Sequence, residues 1–309
     1  MNKPAIPGLH HVTAISGPPQ ANLDFWVGTL EQRFVKRTVN FDDPGTYHLY
    51  YGDAEAAPGS IMTFFPFMDA GPGRAGAGMA SAIAYAVADL DGRMDRLAAD
   101  AVDCEGPFER FGERVVALSD PDGLRVELID GGARDEGFHS VTLWLRDVEP
   151  TARVLQAMGY EREGEEDIAT GGTGGTERRV RYRSTDPERG SAVDLLTSDA
   201  ASIGRPGAGT IHHVAFRARD AAEQKDWQDR MRAVGMDVTP VIDRQYFDAI
   251  YFRTPGGVLF EIATDPPGFA VDEAADRLGE ALKLPAQYED QRERIERILP
   301  EIRVPKVRT

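Results

Sequence analysis

The stretch Gly-Leu-His-His-Val-Thr-Ala-Ile at residues 8–15 returns late in the chain as Thr-Ile-His-His-Val-Ala-Phe-Arg at 210–217. Two weaker copies lie between them, Ala-Ser-Ala-Ile-Ala-Tyr-Ala-Val at 80–87 and Gly-Phe-His-Ser-Val-Thr-Leu-Trp at 137–144. Each copy is a short β-prone run, so each predicts a strand. Four copies of one opening strand indicate a fold assembled from four similar modules.

A helical pattern and then further strands follow each opening strand. Leu23, Val27 and Leu30 keep the i, i+4, i+7 spacing of one helix face, and matching residues keep it in the second and fourth modules. The turn sequences Asp120-Pro-Asp-Gly123 and Thr254-Pro-Gly-Gly257 predict hairpins. Closing strands are predicted at 60–65, 124–129, 192–197 and 258–263.

The pattern predicts an α+β fold of four βαβββ modules paired into two half-open barrels, because a curved half-barrel cannot bury its concave face alone. The modules run near 8–67, 78–131, 136–198 and 209–265. We expect an N-terminal domain at 1–131 with modules one and two, a C-terminal domain at 136–270 with modules three and four, and a helical tail at 271–309. The Gly/Thr-rich stretch 164–177 is expected to be a loop.

Composition narrows the range of partners. The 309 residues carry a formal net charge of −16, and such a surface repels phosphate backbones and anionic membranes, so neither is an expected partner. The single cysteine, Cys104, excludes an intramolecular disulfide, and no apolar run approaches the ~20 residues of a membrane span. Only ten residues precede His11, too few for a signal peptide, so we expect a cytoplasmic protein. A homo-oligomer remains open.

Four of the six histidines form two His-His pairs at the same point of modules one and four. Aligning the opening strands superposes His11 on His213, and His10 on His212 and His139. Modules two and three carry Ala82 and Ser140 where modules one and four carry the second histidine of the pair.

The closing strands add a carboxylate to this alignment. Aligned through the glycine of each preceding turn, Glu261 corresponds to Thr63 in module one and to Glu127 and Asp194 in modules two and three. If modules one and four face each other, two imidazoles and Glu261 share a cavity, with Thr63 as a weak fourth group. Two histidines, one carboxylate and open positions are typical of Fe(II) oxygen chemistry. The other two acids lack an imidazole and are expected to be surface or hairpin residues.

Spacing leaves open which histidine of each pair binds metal. Neighbours on a strand point to opposite faces, and a slip of one residue exchanges them.

Several stretches resemble the ring-cleaving extradiol dioxygenases of the vicinal oxygen chelate (glyoxalase/bleomycin resistance) superfamily, specifically the hydroquinone/chlorohydroquinone branch. Tyr-Phe-Arg-Thr-Pro-Gly-Gly-Val-Leu-Phe-Glu-Ile-Ala-Thr-Asp-Pro-Pro-Gly-Phe at 251–269 is the most specific match. The others are Leu-His-His-Val-Thr (9–13), Arg-Thr-Val-Asn-Phe-Asp (37–42), Tyr-His-Leu-Tyr-Tyr (47–51), Thr-Phe-Phe-Pro (63–66), Ile-His-His-Val-Ala-Phe (211–216) and Leu-Pro-Ala-Gln-Tyr (284–288). Together they span nearly the whole chain.

The resemblance implies an Fe(II) enzyme, with Mn(II) as an alternative, that inserts both atoms of O2 into a small hydroquinone-type ring beside a hydroxylated carbon. It implies that the metal ligands are His11, His213 and Glu261. It also implies catalytic roles beside the metal, which fall on His10, His212, Arg244, Tyr251 and Thr13.

The individual roles are hypotheses. His10 or His212 could take the phenol proton, because imidazole titrates near neutral pH, or could only brace the neighbouring histidine. Tyr251 could hydrogen-bond the substrate, although a four-residue turn at 254–257 would not aim it at the face of Glu261. Arg244 could hold an anionic oxygen or only pair with an acid such as Asp243 or Asp248. His48 is expected to be structural.

Other functions fit parts of the pattern. A glyoxalase or thiol transferase of the same superfamily would also bind a metal, but glyoxalase sites usually have four protein ligands and Thr63 is a poor fourth one. A drug-sequestering protein built from the same modules would bind aromatic compounds without a metal. Among dioxygenases, catechol cleavage remains open.

Overall fold

Sixteen strands in the described residues form two eight-stranded sheets. The computed structural model describes residues 4–132, 137–169, 176–198 and 202–305. The predicted α+β fold of four modules in two half-open barrels is confirmed. In chain order the strands are β1 (Leu9–Ser16), β2 (Arg33–Asn40), β3 (Asp43–Gly52), β4 (Ile61–Pro66), β5 (Met79–Val87), β6 (Cys104–Arg110), β7 (Glu113–Ser119), β8 (Arg125–Asp130), β9 (Gly137–Trp144), β10 (Tyr160–Ala169), β11 (Thr176–Ser184), β12 (Ala192–Ser198), β13 (Thr210–Ala218), β14 (Ile242–Asp243), β15 (Phe247–Arg253) and β16 (Leu259–Pro267).

Each module carries its helix directly after the opening strand, as predicted. In module one a short α1 continues as a π-helix at Asp24–Thr29. Asp89 and Asp220 begin α2 and α4, and their carboxylates accept hydrogen bonds from backbone N–H groups of the first turn. The α-helices are α1 (Pro19–Leu23), α2 (Leu90–Ala99), α3 (Glu149–Ala157), α4 (Ala221–Ala233) and α5 (Arg292–Ile298). No helix in the described ranges is both long and apolar enough to cross a membrane.

Modules pair across the length of the chain. The order β14-β15-β16-β13-β1-β4-β3-β2 joins modules four and one in what we name the site sheet. The order β10-β11-β12-β9-β5-β8-β7-β6 joins modules three and two in the second sheet. Each sheet takes one module from each half of the chain. The expected division into domains at 1–131 and 136–270 is not tested by this pairing and stays a prediction.

Period-two alternation separates the core from the concave face of the site sheet. Val12 and Val214 are fully buried in one continuous apolar core, to which residues of both sheets contribute. His11, Thr13 and His213 alternate with them and face the other way, into the half-barrel. The buried valines therefore anchor the two central strands in the core, and the residues that alternate with them along each strand form the site.

The expected loop at 164–177 is wrong in the part that the structure describes. Residues 164–169 complete β10 and 176–177 begin β11, while 170–175 lie outside the described residues. Glu165 on β10 accepts a 2.7 Å hydrogen bond from Arg178 on β11. Gly164 lies at a register shift of this ladder, where an extra residue is accommodated. Complementary charges across the hairpin thus favour strands despite a composition typical of loops.

The C-terminal tail crosses the edge of the site sheet formed by β2 and β3. It contains short 3-10 helices at Phe269–Val271, Ala275–Arg277 and Ala286–Gln291, followed by α5. The buried ammonium of Lys36 lies 2.7 Å from the carboxylate of Asp272. Farther along, Tyr288 donates a 2.7 Å hydrogen bond to the carbonyl of Phe41. The tail therefore covers an edge strand and holds the adjoining turn.

Candidate metal centre

Three side chains from opposite ends of the chain meet on the concave face of the site sheet. Nε2 of His213 lies 2.9 Å from Oε2 of Glu261, and Nε2 of His11 lies 3.5 Å from the same oxygen. The two Nε2 atoms are 3.4 Å apart. All three side chains are buried, so the described residues offer a compact set of two nitrogens and one oxygen.

The central strand pair places this set. His11 faces Ala215 across the antiparallel pair of β1 and β13. Glu261 lies beside Ala215 in the parallel pair of β13 and β16. His213 faces Thr13. Modules one and four thus contribute one imidazole each, and module four adds the carboxylate.

The structure distinguishes the two histidines of each pair. His11 and His213 turn Nε2 toward the cluster, and their Nδ1 atoms lie 2.9 Å and 2.8 Å from Nδ1 of His10 and His212. The ladder between β1 and β13 shifts register at both His10 and His212. These irregularities let adjacent imidazoles meet, although neighbours in a regular strand point to opposite faces.

The outer histidines are neutral and orient the inner ones. Burial, together with the neighbouring imidazole, lowers the pKa of His10 to about 3 and that of His212 to about 4. In each pair, the Nδ1–H of one ring donates a hydrogen bond to the unprotonated Nδ1 of the other ring. Such a partner on the remote ring nitrogen is the usual way in which a ligand histidine is held in position.

Glu261 is fully buried, and neither carboxylate oxygen accepts a hydrogen bond from the described residues. Burial raises its pKa, but the two imidazoles outweigh this and hold the pKa below its usual value. A buried carboxylate without donors is costly, and a divalent cation touching it and both Nε2 atoms would remove that cost. The donor set of two imidazoles and one carboxylate suits Fe(II) and Mn(II). The residues present therefore fit the expected metal.

A cavity of about 490 Å³ opens onto this cluster. Its walls combine six aromatic or aliphatic side chains with six polar ones besides the cluster, and an apolar wall with placed polar groups suits a small organic ligand. The aromatic and aliphatic residues lining it are Ile15, Phe41, Phe65, Phe67, Phe247 and Leu259. The polar side chains, besides the cluster, are Asn40, Asp42, His48, His212, Arg244 and Tyr251.

Tyr251 faces the same side as Glu261, contrary to the prediction from a four-residue turn. Arg253 pairs with Leu259, so the loop has one residue more than that prediction assumed, and Tyr251 comes directly opposite Glu261. Burial and the nearby carboxylate raise the pKa of Tyr251 well above its usual value, so the phenol keeps its proton. Its ring lies against that of His213, with centroids 5.9 Å apart.

Arg244 links Tyr251 to module one. Its Nε donates a 3.2 Å hydrogen bond to the hydroxyl of Tyr251. Its Nη1 lies 3.3 Å from a carboxylate oxygen of Asp42, in the turn between β2 and β3. Arg244 does pair with an acid, but the acid is neither of the examples named from the sequence, Asp243 and Asp248, because it lies 202 positions away in the chain.

A hydrogen-bonded row occupies the module-one side of the site. Thr63 Oγ1 lies 2.9 Å from Thr13 Oγ1 and 2.8 Å from His48 Nε2. His48 Nδ1 lies 2.8 Å from the hydroxyl of Tyr50. His48 lines the cavity as well as bracing Thr63, so its expected structural role describes only part of its position.

Sequence reasoning missed Tyr50, although a signal was present. Tyr50 lies opposite Thr63 as Tyr251 lies opposite Glu261, so the two tyrosines are repeat equivalents. Extending the alignment from the closing strand to the strand before it would have identified Tyr50.

Comparison with known proteins agrees with this architecture. The model of the Glyoxalase/Bleomycin resistance protein/Dioxygenase superfamily matches residues 8–128 and 137–262. The chain belongs to this superfamily. The resemblance predicted from the sequence motifs is thus confirmed.

Relatives within the superfamily share nearly the full length of this chain. It is 44% identical over 315 aligned residues to "Putative ring-cleaving dioxygenase MhqO" of Bacillus subtilis, with 95% of this chain and 96% of the relative covered. It is 33% identical over 310 residues to "Chlorohydroquinone/hydroquinone 1,2-dioxygenase" of Sphingobium indicum, with 92% and 93% covered.

Solved structures show the same superfamily fold. A crystal structure described as a putative dioxygenase from Bacillus subtilis has a TM-score of 0.88 and 41% identity, and covers 98% of this chain and 100% of its own. Glyoxalase I from Zea mays has a TM-score of 0.62 at 15% identity, covers 84% and 92%, and shows the fold alone.

The second sheet carries the superfamily module with Ala82 and Ser140 in place of the two inner histidines, and arginines occupy its interior. Asp194 is fully buried between Arg179 and Arg181, and its Oδ1 accepts a 2.7 Å hydrogen bond from Arg181 Nε. Glu127 is 1% exposed and pairs with Arg110. The expectation that these acids could be surface residues is wrong, since both are buried ion-pair partners, although each does lie in a strand of a hairpin. Guanidinium groups neutralise carboxylates that correspond to Glu261.

His139 differs from its equivalents His10 and His212. Its Nδ1 lies 3.0 Å from Ser140 Oγ, and its Nε2 lies 3.0 Å from a carboxylate oxygen of Glu113. This histidine therefore braces a serine rather than a second imidazole.

Proposed function

We propose that the protein is an Fe(II)-dependent dioxygenase that cleaves the aromatic ring of a hydroquinone-type substrate beside a hydroxylated carbon. The observation that carries the proposal is the meeting of His11, His213 and Glu261 at an aromatic-lined cavity. The full-length relative named as a chlorohydroquinone/hydroquinone dioxygenase supports the substrate class. Three protein donors leave room for substrate and O2 on one ion.

His11, His213 and Glu261 are the proposed ligands. When bound, the ion supplies Lewis acidity and a redox centre for O2. His10 is 2% exposed, and its ring packs against Phe247 with centroids 5.3 Å apart, so its part is to orient His11.

His212 has a different position from His10. It is more exposed than His10, and it lines the cavity and braces His213. Its Nδ1 accepts the Nδ1–H of His213, which leaves Nε2–H of His212 as a donor, and we assign to this N–H a hydrogen bond to a substrate oxygen.

Tyr251 and Arg244 act on the substrate from module four. The phenol of Tyr251 retains its proton and accepts a hydrogen bond from Arg244, so its O–H can donate to a substrate oxygen in the cavity. Such a donor positions a substrate oxygen and stabilises negative charge that develops on it. Thr13 acts indirectly, by fixing the hydroxyl of Thr63 through a 2.9 Å hydrogen bond.

The experiment is anaerobic loading with Fe(II), followed by O2 consumption against a panel of hydroquinones and catechols. We expect uptake of one O2 per ring cleaved, with hydroquinones preferred. His213→Ala should lose stoichiometric Fe(II) and turnover together. Ser140→Ala alters the repeat-equivalent position in the second sheet and should retain both.

Two results would refute the proposal. Full activity of the His213→Ala variant would remove that residue from the site. Tight metal binding with isomerase activity, and without O2 uptake for any member of the panel, would instead support a glyoxalase-like enzyme.

A further inference from the structure

Asp42 brings a negative charge to a cavity that is otherwise poor in acids. Among the described residues that line the cavity, the acidic side chains are Glu261, in the metal cluster, and Asp42. The cationic side chain there is Arg244, and Asp42 lies 3.3 Å from its Nη1. The charge of the arginine is therefore already balanced before a substrate enters.

The turn that carries Asp42 is held in place from two sides. The side-chain oxygen of Asn40 accepts a 3.0 Å hydrogen bond from the backbone N–H of Asp42. Tyr288 in the tail donates to the carbonyl of Phe41. The side chain of Asp42 itself is 78% exposed, so its charge is partly screened, but its backbone is fixed at the cavity wall.

The charges decide which ring substituents the cavity accepts. An uncharged alkyl or halogen substituent meets the phenylalanine-rich wall without electrostatic cost. A ring carboxylate would be drawn to Arg244, but it must first displace Asp42 or lie beside it. Repulsion of a competing ligand by a fixed like charge is a general route to specificity.

We propose that Asp42 is a specificity-determining residue that disfavours ring-carboxylated hydroquinones relative to those with uncharged substituents. The inference rests on the proposed function of the same cavity.

The test compares two ligands on three proteins. Methylhydroquinone and gentisate, a ring-carboxylated hydroquinone, are titrated calorimetrically into anaerobic Fe(II)-loaded protein, so that binding is measured without turnover. The variant Asp42→Asn keeps the size of the side chain and removes its charge. Glu280→Gln removes an exposed carboxylate that does not line the cavity, and so matches the change in net charge.

We expect Asp42→Asn to tighten gentisate binding about three- to fivefold, the range for a partly screened surface charge, and to change methylhydroquinone binding less than twofold. Glu280→Gln should alter neither. Raising the salt concentration should reduce the discrimination of the wild type and leave that of Asp42→Asn nearly constant. The ratio of kcat/KM for the two substrates should follow the binding ratio.

Two outcomes overturn the inference, and they are distinguishable. Normal binding of methylhydroquinone with the same preference in wild type and Asp42→Asn refutes the role of Asp42 and leaves the proposed function standing. Failure of the Fe(II)-loaded wild type to bind either ligand removes the proposed function and this inference together.

Discussion

Replacing Asp194 with Asn should strongly destabilise the protein without affecting its metal. The substitution removes a fully buried charge that compensates Arg179 and Arg181, which are 5% and 0% exposed. Arg181 keeps a second carboxylate partner, Glu113, so Arg179 is the guanidinium that loses its ion pair. Removing one partner of a buried ion pair costs about 3 to 5 kcal/mol, because the remaining charge loses its compensation in a poorly solvated interior.

This free energy converts into a measurable shift in Tm. Unfolding entropy of about 2.1 cal/mol/K per residue, over 309 residues, gives a fall in Tm of about 5 to 8 °C. Scanning calorimetry of the metal-free variant measures the shift, and titration with Fe(II) or Co(II) should give the wild-type stoichiometry, since the donors lie in the other sheet.

A matched variant tests the role of burial. Glu163→Gln removes the partner of Arg183, whose side chain is 25% exposed while that of Glu163 is 41% exposed, and should cost less than about 1 kcal/mol. The reasoning would be contradicted if Asp194→Asn lowered Tm by less than 2 °C, or if both variants lowered Tm equally. Either result would show that the arginines and acids of the second sheet do not need one another for charge compensation.

Three further predictions concern the site and the pH dependence of stability. Glu261→Gln should abolish stoichiometric Fe(II) binding while the fold persists, as measured by metal analysis and circular dichroism; retained iron would exclude this carboxylate as a ligand. His10→Ala should weaken metal affinity about 10- to 100-fold because His11 loses its orienting partner, and unaltered affinity in a competition titration would show that the contact is only incidental. Burial raises the pKa of Glu127, but its arginine partners outweigh this and lower the pKa from 4.5 to about 2. Its contribution to stability is therefore complete above pH 4.5 and declines as the pH falls toward 2, so urea unfolding should show a steeper loss in this window for wild type than for Glu127→Gln.

Most of what the sequence predicted about the site came from the fourfold repeat of modules. Matching the four opening strands aligned His11 with His213, and matching the turn glycines placed Glu261 in the same cavity, where the structure brings the three together. These inferences succeed because alternation along a strand is local, and because equivalent modules place equivalent residues on the same face.

Features that depend on register or on distant partners could not be predicted in this way. One extra residue in the loop after Arg253 reverses the face on which Tyr251 lies. The partner of Arg244 is Asp42, which no local spacing could identify. The strand that contains Gly164 is stabilised by charged residues on the neighbouring strand β11. The glycine- and threonine-rich composition of this stretch gave no sign of that pairing.

The order of the strands also bears on the route by which the chain acquires its shape during synthesis. β1 emerges early, yet it lies between β4 and β13, and β13 begins at Thr210. The second sheet uses consecutive segments, from Met79 to Ser198, and can assemble while the remainder is still being translated. The central pair of the other sheet has to wait for β13, which ends at Ala218 of the 309 residues, because the entropy cost of closing so long a loop precedes the contacts between the two strands. The two inner histidines can therefore come together only after more than two thirds of the chain has been synthesised.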